Sequence, residues 1–549
     1  MANIMSLKNL RNKTSRNGFD LSFKKNFTAK AGELLPIMVK EVLPGDSFNI
    51  NLKSFTRTQP VNTAAFARMR EYYDFFFVPY DLLWNKANTA LTQMYDNPQH
   101  AVSLDPTQNF VLSGEMPYVT CEDIATYLYT IFNQNSVSYP TSNYFGYDRS
   151  TLTVKLLEYL GYGNFGAYVT DKGDDWTSAP MMANLELNLY GLLAYQKIYA
   201  DYFRDSQWER ISPSTFNVDY LSGDSMRVSI DGDNFMKNYN FFDLRYCNWQ
   251  KDLFHGVLPR QQYGSTATVQ TSDAVAGSPT EFTILALRQA EFLQKWKEIT
   301  QSGNKDYKDQ IEKHWGVSAG DALSEMCTYL GGISSSLDIN EVVNTNITGS
   351  NAADIAGKGT GVSGGSINFN AGGKYGLIMC IYHCLPMLDY TTDFVDPSFT
   401  KVNATDYAIP EFDRVGMQAV SLVHMMNPLA SAISISNPSS LVLGYAPRYI
   451  EYKTSFDVSV GAFKDTLKNW VISYGNQSLI NQLGKVDLTG NPVPSLGDVN
   501  YTMFKVNPDS LNPLFAVEVD SKLSTDQFLC SSFFDVKAVR NLDTDGLPY

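Results

Sequence analysis

The chain has 549 residues, 44% of them hydrophobic and 18% charged, a balance that excludes an intrinsically disordered protein. Aromatics make up 13%, and 37 Gly and 23 Pro accompany many Asn and Ser, which fits a loop-rich, β-leaning protein with a large core or large buried interfaces. The formal net charge of −14 argues against a dedicated nucleic-acid binder if the charge is spread evenly.

It is not spread evenly. Residues 1–40 carry eight basic and two acidic residues, a net +6 that leaves −20 for the rest. A basic arm on an acidic body is the pattern of a tail that touches polyanions; the alternative is a solvated, flexible terminus. The arm lacks the apolar run of a secretory signal, and no stretch reaches the roughly 20 mostly apolar residues of a membrane span, so the sequence predicts synthesis in a cytoplasm without membrane insertion. The six cysteines (Cys121, Cys247, Cys327, Cys380, Cys384 and Cys530) follow no disulfide-framework spacing and are expected to be reduced and mostly buried.

After the arm, SFNINLKSFT (47–56) places Phe48, Ile50 and Leu52 on one face, the period of a half-buried strand. MREYYDFFFVPYDLLW (69–84) holds seven aromatics, and its residues 71–78 are apolar on both faces, as in a central strand. The middle of the chain reads as helical. STLTVKLLEYL (150–160) starts on a capping residue and stops at Gly161, and 184–203 repeats Leu and Tyr at spacings of three and four. A third helix is expected over 282–299, with Leu285, Leu293 and Trp296 on one face. Residues 345–373 read as a Gly/Ser/Asn-rich surface loop. Strand signals return at 374–385, in YIEYKTSFDVSV (449–460 region) and at 528–539. Strands at both ends with helices between them indicate one β-domain with long insertions.

Catalytic motifs fail on context. Gly359, Gly361 and Gly364 match G-x-G-x-x-G, and Gly361–Gly365 matches G-x-S-x-G, but neither has the strand before it and helix after it that a phosphate cradle or nucleophile elbow needs. Cys380 and Cys384 alternate to the opposite side of a strand from His383, so the three cannot converge on one ion, and none of the five histidines has a ligand spacing. No cofactor and no metal are expected, and no enzyme.

Several long blocks, in one order, carry a specific likeness. FDLSFKKNFTAKAGELLPIMVKEVLPGDSFNINLKSFTRTQPVNTAAFARMREYYDFFFVPYDLLW (19–84), LLAYQKIYADYFRDSQWE (192–209), LPRQQYG, LRQAEFLQKWKE, YLGGISSSLDINEVVNT, YGLIMCIYHCLPMLDY, LGYAPRYIEYKTSFDVSVGAF and LCSSFFDVKAVRNLDTDGLPY (529–549) resemble the major capsid proteins of the Microviridae, small bacteriophages with circular single-stranded DNA. The resemblance spans most of the chain apart from roughly 97–182 and 345–373. It implies a mainly β fold, a viral eight-stranded antiparallel jelly roll with long, partly helical insertions. The arm (1–40) then leads into one jelly-roll domain (41–549) with insertions at about 85–210, 281–316 and 345–373. It further implies a structural coat protein, self-assembled on the order of 60 copies into an icosahedral shell around the genome, located in the virion and assembled in the host cytoplasm. Internal scaffolding and DNA-pilot proteins and a host receptor are the other partners it implies.

Within that frame, Lys8, Arg11, Lys13, Arg16, Lys24 and Lys25 are candidate phosphate contacts without sequence readout, with Phe19, Phe23 and Phe27 interleaved to stack on nucleotides. In the aromatic run, Tyr73, Phe75 and Phe77 are assigned to the core, and Tyr72, Tyr80 and Trp84 to a subunit contact. The competing reading is a carbohydrate-binding or polysaccharide-active protein that uses aromatic platforms, which the missing signal peptide and the lack of an identifiable carboxylate pair disfavour.

Overall fold

Alternation of apolar and polar residues builds the frame. In the computed structural model, which describes residues 15–92, 116–133, 141–166, 182–221, 226–228, 240–260, 284–301, 303, 306–318, 320, 324–343, 355–391, 394–413, 416–425, 442–475, 499–515 and 526–544, nine strands join in one sheet. They are β1 (Asn17–Asp20), β2 (Phe23–Ala29), β3 (Leu35–Val42), β4 (Ser47–Thr58), β5 (Met69–Pro79), β6 (Thr328–Val343), β7 (Ile355–Asn370), β8 (Gly376–Pro386) and β9 (Phe528–Arg540). Their order is β1–β9–β4–β7–β6–β5–β8–β3, with β2 also paired to β9, and every pair is antiparallel.

The long strand β6 makes the sheet curl. Its first part, to Leu337, pairs with β5, and from Asp338 onward it pairs with β7 instead. The two halves of the sheet thereby face each other across a core. Phe75 of β5 meets Phe534 of β9 edge-on at 6.5 Å between ring centres, and Phe77 lies 4.7 Å from Phe369 of β7. The expected inward residues Phe48, Ile50 and Leu52 are buried there. The protein is thus mainly β, with a curled antiparallel sheet and few helices.

Helices fill the chain between the strands: α1 (Ala87–Thr92), α2 (Cys121–Asn133), α3 (Arg149–Leu160), α4 (Tyr190–Ile198), α5 (Ile284–Gln301) and α6 (Tyr307–Trp315). Local signals set α3, where the Asp148 carboxylate caps the Ser150 N–H and Gly161 ends the helix at φ 96°. Helix α4 is shorter than the expected 184–203. A three-residue strand (Glu186–Asn188) precedes it, a π turn (Tyr199–Phe203) follows it, and it is buried all round rather than amphipathic. Helix α5 forms, but Leu293 and Trp296 face solvent rather than a core.

Two expectations are overturned. The segment 345–373 is not a loop throughout, since Ile355–Asn370 is the central strand β7. Glycine hides it from a reading based on apolar periodicity. A Cβ on Gly359 would collide with Thr58, and one on Gly361 with Leu337, so close packing here requires the missing side chains. Residues 345–354 of that segment, and much of 97–182, lie outside the described residues. Conversely, YIEYKTSFDVSV has strand alternation but no strand. Tyr449 turns the chain at φ 60°, Ile450–Tyr452 is a 3-10 turn, and an isolated bridge from Tyr390 to Val458 is the pairing seen there. Alternation makes a strand only where a neighbouring edge is free to pair.

Candidate functional site

The basic residues and the aromatic run are the surfaces that the sequence singles out, and the fold treats them differently. Lys8, Arg11 and Lys13 lie outside the described residues. Arg16 is exposed, and its guanidinium donates to the Gly45 carbonyl at 2.7 Å and to Ser47 Oγ at 3.0 Å. Lys24 is exposed on β2. Lys25, the next residue, points to the other side. Its ammonium donates to the Tyr159 carbonyl at 2.7 Å at the end of α3, and burial pushes its pKa down to about 8. Lys24 is therefore open to solvent, whereas Lys25 is tied to α3. Nor are the interleaved rings all free to stack on nucleotides: Phe23 stacks on Phe534 at 5.1 Å, and Phe27 is buried edge-on to Tyr382 at 5.0 Å.

Strand β5 divides its aromatics between two faces. Tyr73, Phe75 and Phe77 are buried in the core between the sheet halves, as assigned. On the opposite face Tyr72 stacks flat on His383 of β8 at 4.9 Å, and Phe76 meets Tyr202 and Phe203 of the π turn at 5.0 and 5.9 Å. The assignment of Tyr80 and Trp84 to a subunit contact is corrected. Tyr80 is 7% exposed and stacks on Tyr190 of α4 at 4.0 Å, and Trp84 is wholly buried. Tyr190 covers Tyr80 within the subunit, and with Trp84 buried as well neither has surface left to offer a neighbour. Tyr72, part-buried, keeps some.

Two polar groups within this packing were not legible. Glu71 is fully buried, yet its carboxylate accepts hydrogen bonds from Thr56 on β4 (2.6 Å), Ser335 on β6 (2.9 Å) and Ser363 on β7 (2.6 Å). Four strands from both halves of the sheet meet at one charge, which these donors satisfy. Ser/Thr at the inward positions 54, 56 and 58 of β4 was the available signal. Asp74, on the Tyr72 side, accepts from the Tyr329 hydroxyl at 3.0 Å, and burial raises its carboxyl pKa to about 6. His383 Nδ1 lies 3.8 Å from Asp74 Oδ2, and burial pushes that imidazole down to about 3.

Nothing in this arrangement composes a catalytic or metal centre. Among the described residues no three His, Cys, Asp or Glu side chains are grouped to hold an ion, and no helix is long and apolar enough to cross a membrane. All six cysteines are free and buried. Cys380 and Cys384 pair with Phe75 and Glu71 across the β5–β8 ladder and His383 with Tyr72, so the expected alternation holds.

Large apolar side chains are exposed at several places, among them Phe66, Phe292 and Trp315, and a further set falls between 397 and 467. Between 397 and 467, Phe399 (82% exposed), Val402 (83%), Tyr407, Phe412, Tyr452 and Val460 face solvent from short 3-10 turns and irregular chain.

Comparison with known proteins gives one answer. The family model for the capsid protein (F protein) matches residues 9–147 and 274–549. The capsid protein VP1 of Chlamydia phage 1 is 22% identical over 612 residues, covering 97% of this chain and 95% of that protein. The capsid protein VP1 of Bdellovibrio phage phiMH2K is 23% identical over 492 residues, covering 80% of this chain and 81% of that one.

Proposed function

From the premise that the chain belongs to the capsid protein (F protein) family of the microviruses, and is a structural coat protein rather than an enzyme, we propose that it is a jelly-roll subunit of an icosahedral shell, on the order of 60 copies around a circular single-stranded DNA genome. The observation that carries the fold is nested pairing. If β1 and β2 count as one interrupted strand, eight strands pair first with last, β1/β2 with β9, β3 with β8, β4 with β7 and β5 with β6. That is the pattern of a hairpin of eight strands rolled into two four-stranded sheets, β1/β2–β9–β4–β7 and β6–β5–β8–β3. Its ends meet, so the chain before β1 emerges beside the last strand, and the one domain with long insertions begins at β1, within the expected arm, rather than at residue 41.

Self-assembly is supported by the exposed large apolar side chains of 397–413 and 442–467, of which Tyr407 and Tyr452 gather about Lys401, because grouped apolar surface marks a protein contact. Phosphate contacts are assigned to Lys8, Arg11 and Lys13 of the arm with Arg16 and Lys24, while Lys25 packs against α3. Scaffolding and DNA-pilot proteins, a host receptor and assembly in the host cytoplasm are the further partners and place that this reading brings with it. The carbohydrate-binding alternative gains no support from the relatives. The test is assembly. Phe399→Ser with Val402→Ser removes exposed side chains only, so the subunit is expected to keep its circular dichroism spectrum while shell yield falls at least about tenfold. Parental shell yield from that variant would refute the contact.

A further inference from the structure

The solvent side of the half-sheet β1/β2–β9–β4–β7 is unlike the rest of this acidic protein. Alternation sends Lys53, Phe55 and Arg57 of β4 outward, opposite the buried Leu52, Ser54 and Thr56, and sends Phe533 of β9 outward beside them. The registers align these side chains in rows. Phe533 stands between Lys24 of β2 and Lys53 of β4, and one row along, Ser531 stands beside Phe55. Arg57 follows in the next row, its guanidinium 5.0 Å over the Phe55 ring. Phe55 and Phe533 are 37% and 43% exposed, a large fraction for phenylalanine on a sheet.

Charge completes the pattern. Among the described residues no carboxylate pairs with Lys24, Lys53 or Arg57, while Asp535, one row from Phe533, and Asp20 beyond it are both paired with Lys537. Where the face meets α3 a cleft of 740 Å³ opens, with Phe55, Arg57, Lys25 and Tyr159 among its lining residues. Glu158, exposed on α3, also lines it, and Asp526 there is held by Lys155 at 2.9 Å. The two phenylalanines occupy adjacent strands two residues out of step, about 7–8 Å apart. That is roughly twice the 3.4 Å step of a stacked strand, so an unstacked single strand can offer each ring a base.

We propose that this sheet face is a platform for single-stranded nucleic acid, on which bases stack on Phe55 and Phe533 while phosphates pair with Lys24, Lys53 and Arg57, without sequence readout. The proposal rests on the coat-protein reading only for the source of the strand, a packaged genome. A neighbouring copy's acidic surface is the competing occupant, and the rings spaced for bases between unpaired cations favour nucleic acid.

The test measures binding of the full-length protein to fluorescein-labelled oligothymidylate over a salt series, with shell formation followed separately by sedimentation. Phe55→Ala with Phe533→Ala is expected to weaken binding at least about tenfold with the salt slope unchanged. Lys53→Gln with Arg57→Gln is expected to weaken it and to make the slope of log affinity against log salt shallower by about 1.4. Phe55→Tyr with Phe533→Tyr keeps the rings and is expected to bind as the parent does, which separates lost stacking from lost folding. A parent that does not bind, alanine and glutamine variants that bind like the parent, or variants that lose assembly while keeping oligonucleotide affinity would each overturn the proposal. A parent that binds as described but never forms shells would leave the platform standing and overturn the coat reading instead.

Discussion

Asp74 carries a burial penalty that can be read through pH. Its carboxyl is raised to about 6 in the folded chain from 3.8 in the unfolded one, so the folded state holds the proton more tightly between those values. Stability from this group is fully present below about pH 4 and is lost as pH rises through 6. Asp74→Asn removes the charge and keeps an acceptor for Tyr329. Urea unfolding is expected to show the variant more stable by about 2–3 kcal/mol at pH 7.5 and little changed at pH 4. Equal effects at both pH values would contradict the assignment. His383, with its imidazole pushed down to about 3, works in the opposite sense: between 6.5 and 3 the unfolded chain takes up its proton more readily, so acid destabilises the fold through it. That contribution is common to parent and variant and drops out of the comparison.

Strand β7 shows how far an element can hide. Its inward glycines stand where β4, β6 and the chain near Thr63 approach too closely for a side chain, whereas Gly364 faces outward with its nearest neighbour, the Leu52 carbonyl, 3.6 Å from a Cβ. Gly364→Ala is therefore expected to be neutral or to stabilise by up to about 1 kcal/mol. Gly357→Ala, whose Cβ would strike the Thr63 carbonyl, is expected to cost at least about 2 kcal/mol, and equal melting temperatures for the two variants would contradict the packing. The same contrast explains what the sequence disclosed. Strand β4 and helix α3 were legible because alternation and helix stops are local, written in Phe48, Ile50 and Leu52 and in Gly161, although the cap is Asp148 rather than the expected Ser150. Tyr80 was misplaced because its cover, Tyr190 of α4, comes more than a hundred residues on. The basic, aromatic face escaped notice for a like reason. Lys24, Phe55 and Phe533 belong to three segments that only strand pairing brings into one row-by-row array.

On the proposed reading, the whole molecule is a subunit built to be covered. Nested pairing uses the sheet to close the chain's ends on each other, the insertions bury one outer face, and apolar residues at 397–467 remain for neighbours. The other outer face offers cations and rings on a body of net charge −14. On the proposed reading assembly joins these features, burying the exposed apolar residues and turning one face toward the packaged strand. The measurement that tests this most directly is electron microscopy of particles purified from cells producing the protein, with three-dimensional reconstruction. The account predicts uniform icosahedral shells with residues 397–467 at subunit boundaries and the Phe55–Phe533 face lining the interior. Discrete unassembled subunits, or shells whose 397–467 stretch is exposed to solvent with the Phe55–Phe533 face outward, would contradict it.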